Sequence, residues 1–117
     1  MEIIERRRQL RQRVLEEVSK WARGLPFKAS VILIGSYARG DFNLWSDIDI
    51  LVISPSFKGS PIERLKVLDI LPGSEVVPLT PEEFERLIKR GDPLAVEALD
   101  QGVVLRDDLK LSAKKRG

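Results

Sequence analysis

The stretch VILIGSYARG at residues 31–40, followed by SDIDILVI at residues 46–53, contains the strongest structural signal in the chain. Each stretch holds an apolar run rich in β-branched residues, which is typical of a buried strand. We therefore predict strands over residues 29–34 and 47–53. Gly35 and Ser36 end the first strand, and a short helical turn closed by Gly40 follows.

Outward from this centre, helical and strand patterns alternate. Residues 2–23 carry apolar side chains at three- or four-residue spacing, which predicts an amphipathic helix that ends before Gly24 and Pro26. Capping-box sequences begin at Ser60 and Thr80, each with proline in the first turn. The remaining elements are predicted as helices over 60–71, 80–90 and 93–101, and as strands over 74–79 and 103–105.

A chain of 117 residues without repeats or a long linker predicts one domain. Strands that alternate with helices predict an α/β or α+β fold with a single sheet. We divide the domain into an N-terminal amphipathic helix over 1–25, a core over 26–105 and a basic flexible tail over 106–117.

The composition excludes several kinds of chemistry. The chain has no cysteine and no histidine, so disulfides, thiolate sites, zinc–imidazole sites and Ser-His-Asp triads are ruled out for the chain alone. The longest apolar run is four residues, which predicts no membrane span. No signal peptide is recognised, so the cytoplasm is the expected compartment.

Charge is distributed unevenly along the chain. Residues 1–25 hold seven basic and four acidic side chains, residues 110–117 hold four basic and no acidic ones, and residues 26–109 hold nine basic and fourteen acidic ones. An acidic body suits a cation site better than a nucleic-acid interface. The basic tail is either a solvated end or a contact for RNA or a partner.

Asp47 and Asp49 open the second predicted strand as an Asp-x-Asp pair. Alternation along a strand places both carboxylates on one face, roughly 7 Å apart at Cα. Two carboxylates held about 6 Å apart repel by about 3 kcal/mol at an effective dielectric constant of about 20, and a divalent cation such as Mg²⁺ would reverse the sign of this energy. The alternative is a turn-capping Asp followed by a second Asp on a solvated edge.

Gly35 and Ser36 follow the first predicted strand and lead into a helical turn. Exposed amides and the serine hydroxyl at such a turn can bind an anion, and Arg39 lies on the same side of the turn. The alternative is an ordinary turn with a surface arginine. An anion-binding turn beside an acidic pair suits a nucleoside triphosphate carried by Mg²⁺, although no Walker A loop is present.

These motifs, GSYARG at 35–40 and SDID at 46–49, resemble the DNA polymerase β-like nucleotidyltransferase superfamily, and the short chain is similar to its minimal nucleotidyltransferases. The run EVVPLTPEEF at 75–84 resembles the strand that carries the superfamily's third carboxylate. The likeness covers roughly residues 26–105. It implies a nucleotidyltransferase fold, with a mixed β-sheet of about four strands and helices packed mainly on one face.

The resemblance also implies roles for individual residues. Asp47 and Asp49 would bind two Mg²⁺ ions, and Glu75, where many relatives carry Asp, would help to hold the catalytic metal and accept a proton. Catalysis and metal binding would thus share these three carboxylates. The implied nucleotide-binding residues are Gly35, Ser36 and Arg39, which would hold the triphosphate.

The activity implied by the resemblance is Mg²⁺-dependent transfer of NMP, with AMP from ATP favoured, to a hydroxyl of a macromolecular acceptor. Minimal members often act as antitoxins beside a HEPN-domain toxin, so a HEPN-domain protein is the expected partner. The alternatives are a non-catalytic nucleotide-binding or toxin-masking module and an RNA-binding protein that uses its basic ends. A homo-oligomer through a sheet edge or the first helix stays open.

Overall fold

A mixed sheet forms the centre of the fold in the computed structural model, which describes residues 2–114. Its strands lie in the order β3-β2-β1-β4; β1 runs antiparallel to β2 and to β4, whereas β2 and β3 are parallel. The predicted mixed four-stranded sheet and α/β class are confirmed. The strands are β1 (Ser30–Ile34), β2 (Ile48–Ile53), β3 (Ser74–Leu79) and β4 (Val103–Asp107).

Helices connect the strands and flank the sheet. No helix within residues 2–114 combines the length and the apolar character that a membrane span requires. The capping boxes that open the third and fourth helices are both formed, with Ser60 and Thr80 as N-caps. The helices are α1 (Glu2–Arg23), α2 (Gly35–Arg39), α3 (Pro61–Leu65), α4 (Pro81–Lys89), α5 (Pro93–Gln101) and a final 3₁₀ turn (Leu111–Lys114).

The helices cover both faces of the sheet, so the expectation that they pack mainly on one face is wrong. Ile50 of β2 belongs to a core that includes Val18 of α1. Leu51, the next residue, belongs to a second core that includes Phe84 of α4 and Ala98 of α5. Because neighbouring residues of a strand point to opposite faces and both are apolar here, each face needs its own cover.

Helix α3 is shorter than predicted, because it ends at Leu65 instead of continuing to Leu71. The backbone carbonyl of Asp69 accepts a hydrogen bond from the indole nitrogen of Trp21, which fixes this segment against α1. A tertiary contact thus outweighs the local helical pattern.

The prediction of a flexible tail from residue 106 is wrong for much of its length. Strand β4 continues to Asp107, and Leu111 is buried. The Asp107 carboxylate accepts hydrogen bonds from the amides of Leu111 (2.7 Å) and Ser112 (3.0 Å), so it fixes the turn that follows the strand. Residues 115–117 lie outside the described part, and the single-domain division stays a prediction.

Arg106 of β4 ties the first helix to the sheet. Its guanidinium donates to the backbone carbonyls of Ala22 (2.7 Å), Leu25 (3.0 Å) and Phe27 (2.9 Å). These carbonyls lie at and just after the end of α1, where a helix leaves backbone acceptors without partners. Helix α1 is therefore an integral layer of the fold.

Candidate functional site

The predicted acidic residues lie at one end of the sheet. Asp49 is paired with Ile34 at the end of β1 and with Glu75 near the start of β3. Asp47 comes just before β2 and is exposed, as is Glu75, whereas Asp49 is half-buried. Since alternate residues share a face, Asp49 lies on the same face as Leu51, the face that α4 and α5 cover.

Gly35 packs directly against the carboxylate of Asp49. Its φ of 76° falls in the left-handed region that favours glycine. A Cβ at this position would lie 3.2 Å from Cγ of Asp49 and would overlap Oδ2. The absent side chain therefore lets the acidic group approach the β1–α2 turn, and the structure brings these two predicted residues together.

Burial is the main cause that raises the pKa of Asp49 above its ordinary value. The charges of Glu75, Asp47 and Glu97 raise this pKa further, in that order, while the Arg39 guanidinium opposes them. Asp49 is therefore the centre of a strongly negative region at the edge of the sheet.

These carboxylates do not form a ready-made metal cage. Within residues 2–114, no three acidic side chains lie close enough together to hold a metal ion by themselves. The donors are nevertheless all oxygen atoms, which suit Mg²⁺, and this ion commonly uses one or two carboxylates together with phosphate oxygens and water. The donor chemistry thus fits a metal that arrives with a phosphate ligand better than one bound by protein alone.

The turn that follows β1 holds the predicted phosphate-binding residues. Ser36 lies in the first turn of α2, where its carbonyl accepts from the amide of Gly40 (2.7 Å) and closes the helix. Arg39, at the exposed end of α2, donates from Nε to Asp41 (3.2 Å). This hydrogen bond is the largest of the causes that raise the Arg39 pKa.

Glu97 of α5 is a member of this site that sequence analysis missed. Its Oε2 accepts from the backbone amide of Gly35 (2.7 Å) and from Nη1 of Arg39 (3.0 Å). The available signal was an acidic residue beside Ala98 and three residues after Leu94, on the helix face that packs toward the sheet. An ionised side chain on the packed face of a helix is costly to bury unless it has a charged or hydrogen-bonded partner, so a glutamate at this position indicates such a partner.

Two arginines of α1 hold the α2 turn in place. Arg11 donates to the carbonyls of Tyr37 (2.8 Å) and Ala38 (2.9 Å), and Arg7 donates to the carbonyl of Phe42 (2.7 Å). The rings of Tyr37 and Phe42 are buried and stack on each other with centroids 4.4 Å apart. The first helix therefore positions the turn that carries Gly35.

A short loop leads from the turn to Asp47. The amide of Trp45 donates to Oδ1 of Asn43 (2.8 Å), and the amide of Asn43 donates to Oγ of Ser46 (2.9 Å). These bonds order the loop while the indole of Trp45 stays 89% exposed. Leu44 is similarly exposed, so an apolar surface adjoins the acidic end of the sheet.

Similar proteins are known both by sequence and by structure. A protein of Methanocaldococcus jannaschii assigned as a protein adenylyltransferase is 39% identical over 72 residues, which cover 56% of this chain and 49% of that protein. The chain therefore spans about half the length of this curated relative. A crystal structure assigned as a nucleotidyltransferase of Sulfolobus solfataricus shares the fold, with a TM-score of 0.55, 24% identity and coverage of 86% and 83%.

A second structural neighbour is a toxin–antitoxin crystallised with AMP-PNP, which has a TM-score of 0.50, 21% identity and coverage of 87% and 83%. At these identities the two solved structures establish the fold alone. The sequence model of the nucleotidyltransferase domain matches residues 7–114, which is nearly the whole chain. Because this match spans nearly the whole chain and includes Gly35, Asp49 and Glu75, the protein is a member of the nucleotidyltransferase domain family.

Proposed function

We propose that the protein transfers AMP from ATP, with Mg²⁺, to a hydroxyl group of a macromolecular acceptor. The observation that carries this proposal is the position of the Asp49 carboxylate, which lies against the Gly35 turn and beside Glu75 in the neighbouring strand. The M. jannaschii relative assigned as a protein adenylyltransferase supports AMP as the transferred group and a protein as the acceptor.

The phosphates would bind at the β1–α2 turn. The amide of Gly35 and the hydroxyl of Ser36 are hydrogen-bond donors, and Arg39 adds a guanidinium that can contact two phosphate oxygens at once. Arg39 is exposed at the end of α2, so its side chain is accessible to a triphosphate. These groups would orient the α-phosphorus toward the acidic end of the sheet.

Asp47, Asp49 and Glu75 are the residues that would hold the metal, with two Mg²⁺ ions as the proposed complement. When bound, the ions supply charge neutralisation for the phosphates and a lowered pKa for the acceptor hydroxyl. Phosphate oxygens and water would complete the coordination, which agrees with the open arrangement of the three carboxylates.

The acceptor oxygen attacks the α-phosphorus, and the bond from that phosphorus to the oxygen bridging the β-phosphate breaks. Pyrophosphate leaves with the electron pair of the broken bond, and the hydroxyl proton passes to Glu75 or to solvent. Glu75 is suited to this role because it is exposed and lies beside Asp49 in the register of β2 and β3. The chain contributes positioning and fixed charge.

The proposed partner is a toxin of the HEPN-domain class, which the transferase would modify as an antitoxin. The structural likeness to a toxin–antitoxin protein supports a role of this kind. The exposed Leu44 and Trp45, next to Asp47, offer apolar surface beside the site for a protein acceptor.

The test is transfer of label from α-³²P-ATP to the product of the neighbouring gene, with Mg²⁺ and purified wild-type protein. Asp49→Asn should reduce the transfer rate at least about a hundredfold, because it removes the central carboxylate while keeping the side-chain shape. Asp69→Asn changes an exposed carboxylate that is not one of the proposed site residues, so it should keep the wild-type rate.

Transfer that is equal in wild type and Asp49→Asn would contradict this mechanism. An Asp47→Asn/Asp49→Asn double variant that transfers no label but still neutralises the toxin fully would instead support a non-catalytic module that acts by masking the toxin. Circular dichroism of each variant separates loss of chemistry from loss of fold.

A further inference from the structure

The carboxylate of Glu97 occupies the turn that the proposed function assigns to phosphate. A single oxygen, Oε2, accepts from the Gly35 amide at 2.7 Å and from the Arg39 guanidinium at 3.0 Å. Both donors are far from Glu97 in sequence, so the contact is formed only in the folded chain.

Glu97 and a phosphate group bound at this turn would compete for the Gly35 amide. The backbone amide of Gly35 has one hydrogen to give, and it is directed at Glu97. Nη1 of Arg39 also donates to that carboxylate, while its Nε donates to Asp41. A phosphate oxygen that binds the Gly35 amide must therefore displace the Glu97 carboxylate.

We propose that Glu97 is an internal competitor for the polyphosphate, and that its carboxylate lowers the affinity of the site for phosphate ligands. The proposal rests on the proposed function, which assigns the Gly35 turn to phosphate. Because a carboxylate forms charge-assisted hydrogen bonds, displacing it costs more than displacing a neutral acceptor of the same shape. A ligand must offset this cost with several anionic oxygens, which favours polyphosphates over small anions.

A purely structural role for Glu97 predicts the opposite effect on binding. If the residue only fixed α5 to the α2 turn, its removal would loosen the turn and weaken ligand binding. Competition predicts that stability falls slightly while affinity rises, since the freed donors become available to the ligand. The direction of the affinity change therefore separates the two roles.

The experiment is calorimetric titration of the full chain with Mg²⁺-pyrophosphate at fixed salt. Glu97→Gln keeps the side-chain shape but removes the charge, and we expect its dissociation constant to fall about tenfold from that of wild type. Asp100→Asn removes the same charge from an exposed position on the same helix and should stay within about twofold of wild type.

A second variant covers the case in which Glu97→Gln is poorly folded. Glu97→Asp keeps the charge but is one methylene shorter, which draws the oxygen away from the two donors, so it should bind pyrophosphate more tightly than wild type. In wild type, the amide NMR signal of Gly35 should shift as pyrophosphate is added. Folded variants with unchanged or weaker affinity, or a Gly35 signal that does not respond, would overturn the proposal.

The two proposals can fail separately. Tighter pyrophosphate binding by Glu97→Gln without AMP transfer to any acceptor would support Glu97 as a competitor and count against the transferase activity. AMP transfer by wild type with unchanged affinity in Glu97→Gln would support the transferase and overturn the competitor.

Discussion

At the scale of single residues, Gly35 combines two constraints that act on the same position. Its positive φ is costly for any residue with a Cβ, and the space that a Cβ would take is filled by Asp49. Gly73 has a similar φ of 80°, but among residues 2–114, its two chain neighbours apart, no heavy atom lies within 4 Å of the position of its Cβ. The two glycines therefore allow backbone strain and steric overlap to be separated.

We predict that Gly35→Ala costs more stability than Gly73→Ala and also abolishes nucleotide binding. The shared backbone strain is about 1–2 kcal/mol. Only Gly35→Ala displaces the Asp49 carboxylate, so only this variant should lose affinity for Mg²⁺ and an ATP analogue. Urea unfolding gives the stabilities and calorimetry gives the affinities; equal affinities for the two variants would contradict the close approach seen here.

The residues of the site were predictable to different degrees. Asp47, Asp49 and Gly35 stand in short motifs, so their proximity follows from strand pairing between neighbouring segments. Glu97 comes from a helix far along the chain, and its contact with Gly35 depends on how α5 packs on the sheet. No local pattern specifies that packing, which is why the fourth carboxylate was missed.

At the scale of secondary-structure elements, an ion pair between a buried arginine and a half-buried glutamate joins α3 to α4. Arg64 forms two hydrogen bonds with the carboxylate of Glu83, at 2.6 and 3.1 Å, and Glu83 also caps α4 by accepting from the amide of Thr80 (2.9 Å). The Arg64 hydrogen bonds, followed by the Thr80 amide, lower the pKa of Glu83 to about 2. One carboxylate thus completes a helix cap and neutralises a buried guanidinium.

We predict that this carboxylate makes stability depend on acid pH. Because its folded-state pKa is lowered, Glu83 stabilises the fold fully above its unfolded pKa near 4.5, and the contribution is lost as pH falls toward 2. The Glu83 side chain is 31% exposed, so solvent screens part of the interaction, and its contribution to the free energy of unfolding is about 2 kcal/mol. Urea unfolding from pH 7 to pH 2.5 measures it.

Glu83→Gln is the variant that isolates this contribution, and Glu82→Gln, at the exposed neighbouring position, is its control. The first variant should be less stable at pH 7 by about 2 kcal/mol, and its difference from wild type should shrink on acidification. The second should follow the wild-type curve. A constant difference across the pH range would show that Glu83 does not titrate in this way.

Element boundaries also show where sequence analysis succeeds. The starts of α3 and α4 were correct because a capping box and a proline are local signals. The end of α3 and the extent of β4 were not, because both involve residues outside the segment: Trp21 contacts the chain after α3, and β4 extends to Asp107 by pairing with β1.

At the scale of the whole molecule, one sheet separates two apolar cores. The runs VILI at 31–34 and ILVI at 50–53 lack polar alternation, which is the signature of strands buried on both faces. Apolar residues on both faces of these strands indicate cover on both sides of the sheet, whereas the superfamily resemblance implied helices mainly on one face. The site lies where β1 ends and β2 begins, so both cores support the strands that carry it.

We predict that the two cores unfold together. Ile50 and Ile53 lie on the same strand, are fully buried and face opposite cores. Ile50→Val and Ile53→Val should each cost about 1 kcal/mol and leave a single unfolding transition. For each variant, far-UV circular dichroism and tryptophan fluorescence should give coincident urea unfolding curves. Curves that separate in either variant would indicate that the core containing the substitution unfolds independently.

Trp45, in the loop before Asp47, has an exposed indole whose fluorescence can report on binding at the acidic end of the sheet. An indole surrounded by water emits at long wavelength and is accessible to iodide or acrylamide, whereas Trp21 is half-buried beside the segment after α3. An acceptor that covers Trp45 would shift its emission to the blue and shield it from quenchers. Docking can therefore be followed without a dye, a tag or a radioactive nucleotide.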